Sequence, residues 1–185
     1  MATIIVTEFV SIDGVIEDPG GAEGFERGGW AFRFERGADG DRFKLDEVMG
    51  SDALLLGRRT YEGFAAAWPS REGEFADKFN SMPKIVVSTT LENPEWQNTT
   101  VVRDLDAVRE LKETQDGTYL VQGSAQLVHS LLDAGLVDQL NLMVFPVVLG
   151  AGKRIFGEMG DKLTLKLAES RTADDDVLIL VYKRA

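Results

Sequence analysis

The sequence predicts a single α/β domain whose mixed, mostly parallel sheet is flanked by helices and ends in an antiparallel hairpin. Short apolar runs rich in β-branched residues alternate with stretches of helical periodicity, which favours parallel strand pairs. Two adjacent strand patterns close the chain, and such a hairpin makes the sheet mixed. The 185 residues suffice for one domain with a real core, so we assign residues 1–185 to one domain.

The composition excludes several kinds of site and partner. The chain has no cysteine, which excludes disulfides and thiolate metal sites. Its one histidine, His129, is interpreted as a structural or surface residue rather than a catalytic one. A net charge of -11 disfavours nucleic-acid binding, because that affinity comes largely from neutralising phosphates. The N-terminus lacks the features of a signal peptide, and no apolar run is long enough to cross a membrane. We therefore expect a cytoplasmic protein with no nucleic-acid or membrane partner.

The first forty residues combine a strand with a long irregular segment. Residues 3–10 are rich in β-branched side chains and predict a buried opening strand. Asp13 and Gly14 follow in a turn, where Asp13 either shapes the turn or faces a ligand from the strand end. Residues 17–40 carry four aromatic residues among glycines. This is typical of a lid or binding loop, and equally of a loop that covers the core or contacts a second copy.

The remaining elements alternate in type. Predicted strands span residues 53–56, 84–90, 99–102, 119–121 and 140–149, and the closing hairpin pairs 164–170 with 177–182. Predicted helices span residues 41–49, 61–68, 75–82, 105–111 and 127–132, the fourth capped by Asp104 and the fifth ended by Gly135. The hairpin turn Asp174-Asp175-Asp176 is more typical of solvated carboxylates than of a metal site, so no metal site is predicted.

Three predicted strand ends carry groups suited to an anion: residues 57–60, 88–89 and 122–124. Backbone N–H groups at a glycine turn before a helix can face a phosphate, and arginine binds phosphate oxygens in a bidentate manner. Ligands of open α/β sheets bind at the carboxyl ends of the strands. Three converging strand ends suit an extended nucleotide better than a small anion. An equal alternative is that Arg58 and Arg59 are only a surface arginine pair at the start of a helix. No Walker lysine motif or G-x-G-x-x-G fingerprint is present.

The order and spacing of these segments resemble the reductase domain of the bacterial bifunctional deaminase–reductase of riboflavin biosynthesis. They are therefore similar to the wider dihydrofolate reductase fold. The matching segments span residues 11–14, 56–62, 85–88, 122–124, 135–140 and 145–152. The resemblance implies a single dihydrofolate reductase-like domain over residues 1–185 that binds NADPH across the carboxyl edge of its sheet.

The resemblance also implies roles for individual residues. Those expected to contact the cofactor are Gly57, Arg58, Arg59, Thr60, Ser88, Thr89, Gln122, Gly123 and Ser124. Those expected to line the nicotinamide and substrate pocket are Asp13, Gly14, Pro146 and Leu149. This chain departs from the family pattern in four ways. It has no deaminase half, Thr89 and Thr90 stand where an arginine often follows the serine, Gln122 stands where a glycine is common, and its 17–40 segment replaces part of the substrate pocket.

The resulting prediction is an NADPH-dependent oxidoreductase that acts on a small heterocyclic or nucleotide-like substrate. Its activity would resemble that of a 5-amino-6-(5-phosphoribosylamino)uracil reductase or a dihydrofolate reductase. Asp13 is the expected catalytic residue that delivers or relays a proton, with Glu17 or Asp18 behind it, and water is an equal alternative. Two other classes stay open: a non-catalytic nucleotide-binding protein and a dimeric structural module. The length of the apolar run 140–149 predicts a homodimer.

Overall fold

The computed structural model describes residues 1–174 and 176–185. In these residues eight strands and five helices follow one another along the chain. The strands are β1 (Thr3–Ser11), β2 (Ala53–Gly57), β3 (Lys84–Val87), β4 (Thr99–Val102), β5 (Thr118–Val121), β6 (Gln139–Phe145), β7 (Leu165–Ala173) and β8 (Val177–Arg184). The helices are α1 (Gly37–Met49), α2 (Arg58–Ala67), α3 (Glu74–Ser81), α4 (Leu105–Thr114) and α5 (Ala125–Asp133), and a short 3-10 helix, Ala31–Arg33, precedes α1.

All eight strands belong to one sheet in the order β4-β3-β2-β5-β1-β6-β8-β7. The strands from β4 to β6 pair in parallel, whereas β8 pairs antiparallel with β6 and β7 pairs antiparallel with β8. The predicted mixed, mostly parallel sheet with a closing hairpin is confirmed. Because the first six strands of this order are parallel, their carboxyl ends meet at one edge of the sheet. None of the helices in the described ranges is both long and apolar enough to cross a membrane.

The continuous apolar run of β2 is explained by helices on both faces of the sheet. Leu55 packs in the cluster that includes Leu131 of α5, while Leu54 and Leu56 pack in the cluster that includes Phe79 of α3. All five residues of β2 are buried. A strand covered on both faces has no polar side, so it reads as an unbroken apolar run rather than an alternating one.

The strand β6 is shorter at its end than predicted, because residues 146–149 leave the sheet. It ends at Phe145, and Val147 then accepts a hydrogen bond from the Ile12 backbone N–H at 2.9 Å. The strand pairs with β1 and β8, and its apolar side chains pack in the core clusters on the two faces of the sheet. Its length therefore gives no argument for a second copy, and the homodimer stays a prediction.

The 17–40 segment covers the core and enters α1 earlier than expected. Trp30 is 1% exposed, donates its indole N–H to the Glu17 carbonyl at 2.9 Å and packs edge-on against Phe145. The helix α1 begins at Gly37 rather than at residue 41. The strand β3 likewise ends at Val87 rather than at residue 90. The acidic turn contains residue 175, which lies outside the described residues.

Candidate functional site

The turns after β2 and β5 touch each other at the carboxyl edge of the sheet. The Gly57 N–H donates to the Gly123 carbonyl at 3.3 Å, and the Gly123–Ser124 peptide bond is cis. A β-carbon built on Gly57 would lie 2.2 Å from Ser124 Oγ, and one built on Gly123 would lie 2.8 Å from Thr60 Oγ1. Two glycines therefore allow the turns to approach this closely. We call residues 57–60 and 122–124 the cradle.

Two helices begin in the cradle without a side-chain cap. The α2 N-cap is Gly57, which has no side chain to act as a cap. The α5 N-cap is Ser124, whose side chain accepts no bond from the first turn of its helix within the described residues. By contrast, Asp104 caps α4 by accepting the Ala107 N–H at 2.9 Å. Uncapped first-turn N–H groups carry the positive end of the helix dipole. Two such ends side by side form an arrangement that suits an anion.

The turn after β3 lies within reach of α2. Ser88 is buried, and its Oγ accepts the backbone N–H groups of Thr90 at 3.2 Å and Leu91 at 3.0 Å. Arg58 donates Nε to Glu62 at 2.7 Å and Nη1 to Thr90 Oγ1 at 2.6 Å. Arg58 thus connects the cradle to this turn, whereas the Ser88 hydroxyl shapes the turn. Thr89 lies exposed between its two neighbours.

Arg103 is a basic residue of this edge that the sequence analysis missed. It follows β4, and its Nη1 donates to the carbonyls of Ser88 at 3.0 Å and Leu91 at 2.9 Å. Arg58 and Arg103 therefore converge on the same turn from two strand ends. In the sequence, Arg103 could have been recognised as a candidate because it directly follows a predicted strand. Arg58 stands in the same position after β2.

The cradle also faces the 17–40 segment through Arg59. Arg59 is exposed on the first turn of α2. Burial and the nearby Asp18 raise the pKa of Glu23, while Lys153 and Arg59 act to lower it. This electrostatic interaction means that the Glu23 region of the segment lies near the cradle. Trp30 shows that the segment covers the core, whereas its role as a lid or binding loop stays a prediction.

The Asp13 carboxylate is fully occupied in holding the loop after β6. It accepts the Leu149 N–H at 3.0 Å, the Gly150 N–H at 2.8 Å and the Ser11 hydroxyl at 2.7 Å. These bonds, led by that of Leu149, lower the pKa of Asp13 to about 2. An ionised Asp13 has no proton to give at neutral pH. The geometry thus argues against Asp13 as the proton donor and favours a positioning role.

The acidic residues behind Asp13 are also engaged. Glu17 accepts the Lys153 backbone N–H at 2.9 Å and pairs with Lys153 Nζ at 3.1 Å. Asp18 is buried and accepts the backbone N–H groups of Glu23 and Phe25. Gly14 completes the turn at a φ of 83°, which favours glycine. Glu17 and Asp18 therefore fix the loops around the site.

A groove of about 430 Å³ opens where β6 ends. Its lining residues are Glu26, Arg27, Trp30, Arg33, Phe34, Val147, Val148 and Leu149. Arg27 donates to the Leu149 carbonyl, and the exposed Pro146 precedes the lining loop. A larger groove of about 870 Å³ lies over α2 and α3 and borders Glu62. Asp13 and the end of β6 border the smaller groove, since Asp13 holds Leu149, which is one of its lining residues.

Glu8 is the second residue that the sequence analysis missed. It lies in the middle of β1 and is 9% exposed, and its Oε1 has no hydrogen-bond partner among the described residues. Burial raises the pKa of Glu8 to about 8, against the opposing effects of Lys44 and the Gly123 N–H. Gln122 Nε2 is likewise buried without a partner in the described part of the chain. In the sequence, Glu8 could have been recognised as a candidate because it is an acidic residue inside a predicted buried strand.

Comparison with known proteins identifies the family. The model of the RibD C-terminal domain matches residues 2–179. The chain belongs to the RibD C-terminal domain family. This family is reductase-like, and the resemblance observed in the sequence is confirmed at the level of the family.

Individual relatives agree with this assignment. The chain is 28% identical to the uncharacterized protein YyaP of Bacillus subtilis (strain 168), over 97% of this chain and 93% of YyaP. A crystal structure of a candidate riboflavin biosynthesis protein from Shewanella sp. PV-4 has a TM-score of 0.77 at 22% identity and covers 99% of both chains. Dihydrofolate reductase from Enterococcus faecalis, complexed with NADP(H), has a TM-score of 0.58 at 17% identity and covers 98% of this chain and 96% of its own. The dihydrofolate reductase-like fold is therefore confirmed.

Proposed function

We propose that this member of the RibD C-terminal domain family is an NADPH-dependent reductase that transfers a hydride to a small heterocyclic or nucleotide-like substrate. The observation that carries the proposal is the cradle, where two uncapped helix N-termini meet at adjacent strand ends. Membership of a reductase-like family supports the reaction class. The two solved structures share 22% and 17% sequence identity with this chain, so they support only the fold and not the reaction.

The residues of the cradle fit the phosphates of a dinucleotide. Gly57 and Gly123 leave no room for a β-carbon, and this lets the two turns and the helix N-termini that follow them lie side by side. The proposed cofactor-binding residues are Gly57, Arg58, Arg59, Thr60, Ser88, Thr89, Gln122, Gly123 and Ser124, to which we add Arg103. Arg58 and Arg103 converge on the Ser88–Leu91 turn, which would hold the adenosine end. Their charges support a preference for a phosphorylated adenosine, although no arginine follows Ser88 directly.

Within this proposal, the bound cofactor supplies the hydride, and the protein aligns the partners. The cradle holds the phosphates, and the strand ends of β1 and β6 form the side of the site where the nicotinamide and substrate would meet. Asp13 fixes the loop at Leu149 and Gly150. Gly14 and Pro146, which adjoin Asp13 and Val147 in the sequence, are the other proposed substrate-binding residues. With Asp13 ionised, water is the proposed proton source for the reduced substrate.

The groove supports a substrate that is flat, partly apolar and anionic. Trp30, Phe34 and Val147 supply apolar surface along its lining. Arg27 and Arg33 supply positive charge there, although the chain as a whole is acidic. A heterocycle with a phosphate or carboxylate substituent matches this combination.

Fluorescence titration with NADPH tests the proposal. The wild-type protein is expected to bind NADPH, and Arg59→Ala is expected to weaken binding by about tenfold, as for one lost charge-assisted contact. Arg42→Ala is the matched control, because Arg42 pairs with Asp46 on the exposed face of α1. No binding at millimolar NADPH would refute the proposal. Binding without oxidation of NADPH against pterins, flavin precursors and pyrimidines would instead indicate a non-catalytic nucleotide-binding protein.

A further inference from the structure

Glu8 lies where β1 separates from β5, beside the cradle. The last residue pair of the β1–β5 ladder is Val6 with Val121, whereas the β1–β6 ladder continues to Ser11 and Phe145. Glu8 therefore lies two residues beyond Val6, the last residue of β1 that pairs with β5, where the two strands separate. The Gly123 backbone N–H, one of the cradle's donors, interacts with the Glu8 carboxyl group.

The surroundings of Glu8 disfavour a negative charge. The nearby cation is Lys44 of α1, which is already paired with Glu47 at 2.6 Å and donates to Thr7 at 2.7 Å. The other charged groups that act on Glu8 are Glu47 of α1 and Glu23 of the 17–40 segment, and both are acidic. A buried carboxylate without a free counter-charge costs several kcal/mol, so the group keeps its proton instead.

An anion in the cradle would add a further negative charge next to this carboxyl group. An ionised Glu8 would repel it, whereas an uncharged Glu8 has an O–H that can donate a hydrogen bond. We propose that Glu8 acts in its protonated form as a ligand-positioning residue of the cradle, so that an anion binds there together with a proton on Glu8. This inference rests on the proposed function in taking the anion to be a dinucleotide phosphate.

The dependence of NADPH binding on pH between 7 and 10 tests the proposal. The dissociation constant of wild-type protein is expected to be constant below about pH 8 and to rise by up to about tenfold per pH unit above it, because each binding event retains one proton. Phosphate monoesters, with a pKa of about 6, are already ionised throughout this range. Glu8→Gln is expected to bind as tightly as the wild type at pH 7 and to lose the pH dependence.

Two controls assign the effect to Glu8. Glu23→Gln removes the other acidic group with a raised pKa near the cradle. It is expected to keep the wild-type slope but with an onset at lower pH, because Glu23 acts to raise the pKa of Glu8. Lys84 also titrates near pH 8, but it lies against Asn80 and Trp96, and it is intact in Glu8→Gln. An unchanged slope in Glu8→Gln, or a flat profile in the wild type, would overturn the proposal.

Calorimetry supplies a readout that needs no variant and no turnover. At pH 9, NADPH binding to the wild type is measured in buffers of different ionisation enthalpy, and an uptake approaching one proton per NADPH is expected. Binding without proton uptake would overturn the role of Glu8 and leave the proposed function intact. If NADPH does not bind but inorganic phosphate, which does not itself titrate near pH 9, binds with proton uptake, the proposed function fails and the role of Glu8 stands.

Discussion

The Ser124 hydroxyl occupies the space that a β-carbon of residue 57 would need, since that carbon would lie 2.2 Å from Ser124 Oγ. The two residues belong to different strand ends, separated along the sequence by α2, α3, β3, β4, α4 and β5. Their contact joins the N-termini of α2 and α5 into one cradle. The identity of residue 57 is therefore decided by a neighbour that is distant in sequence.

Gly57→Ala is expected to disturb both stability and binding. The Ser124 hydroxyl can rotate away, but Ser124 Cβ and N, each 3.1 Å from the new carbon, cannot. We expect a loss of roughly 1 to 3 kcal/mol in the free energy of unfolding, as for overpacked sites, and weaker NADPH binding. Urea denaturation and fluorescence titration measure the two effects.

Gly63→Ala is the control for this substitution. Gly63 lies inside α2, and a β-carbon there would meet no atom within 4 Å. Because alanine is the better helix former, we expect a gain of roughly 0.4 to 1 kcal/mol in stability and unchanged binding. Equal stability of both variants would show that the 57–124 contact is not tight.

Arg58→Ala is expected to weaken NADPH more than NADH. Arg58 reaches the turn after β3 by its bond to Thr90, and together with Arg103 it supplies charge for a phosphate at the adenosine end. Losing one charge-assisted hydrogen bond corresponds to about a tenfold rise in the dissociation constant of NADPH. Fluorescence titrations with NADPH and NADH measure the two dissociation constants. An equal loss of affinity for both would mean that Arg58 does not contact the adenosine phosphate that NADPH has and NADH lacks.

Asp13→Asn is expected to lower the melting temperature at pH 7, because a neutral amide holds the Leu149 and Gly150 N–H groups less strongly. The pKa of Asp13 is lowered, so its ionised form stabilises the fold above the usual value of 3.8. That contribution is lost as the pH falls towards about 2. The difference between wild type and variant should therefore shrink in acid. Asp106→Asn, at an exposed pair with Arg109, is the control, and a similar deficit there would contradict the assignment.

Glu8→Gln is expected to change how stability depends on pH. Burial raises the pKa of Glu8 from 4.5 to about 8, so the folded state binds more protons than the unfolded state between these values. This contribution is present below pH 4.5 and is lost as the pH rises towards about 8, by up to about 1.4 kcal/mol per pH unit. Urea denaturation at several pH values should give a flatter profile for Glu8→Gln. Parallel profiles would mean that Glu8 is ionised in the folded protein.

The homodimer is tested by light scattering at micromolar concentration. Large apolar side chains are exposed at Phe32 and Val148, which are 71% and 66% exposed. Burial of such side chains in an interface would stabilise a dimer. If the dimer uses this surface, Val148→Ser should shift the equilibrium towards the monomer. A wild-type monomer at micromolar concentration would refute the prediction.

Much of the fold could be predicted because it depends on local pattern. The strands β2 and β4 and the closing hairpin were recognisable from β-branched runs and turn residues, and Asp104 was recognisable as a helix cap. The end of β6 could not be recognised from the sequence, because residues 146–149 are as apolar as the strand. They leave the sheet and form a hydrogen bond with the loop after β1. Periodicity cannot separate a buried strand from a buried loop of similar composition.

The site was only partly predictable for a related reason. The glycines and arginines after β2 and β5 follow local turn and helix-start chemistry, so the sequence indicated them as candidates. Asp13 was assigned to proton delivery because its side chain is acidic and lies at a strand end. Its partners Leu149 and Gly150 lie far along the chain, and their N–H groups hold its carboxylate ionised. Glu8 was overlooked because only its burial makes it unusual.

By itself, the sequence determined the alternation of strands and helices, the closing hairpin, the family and the polar groups at each strand end. The family rests on the resemblance carried by the order and spacing of the matching segments, whereas the other features depend on residue periodicity and turn chemistry over short stretches. Only the tertiary structure decided that the turns at Gly57 and Gly123 touch, that Arg103 joins Arg58, and that Glu8 is buried beside them. Strand order and burial result from packing between distant segments, and the protonation of a carboxyl group follows from that packing.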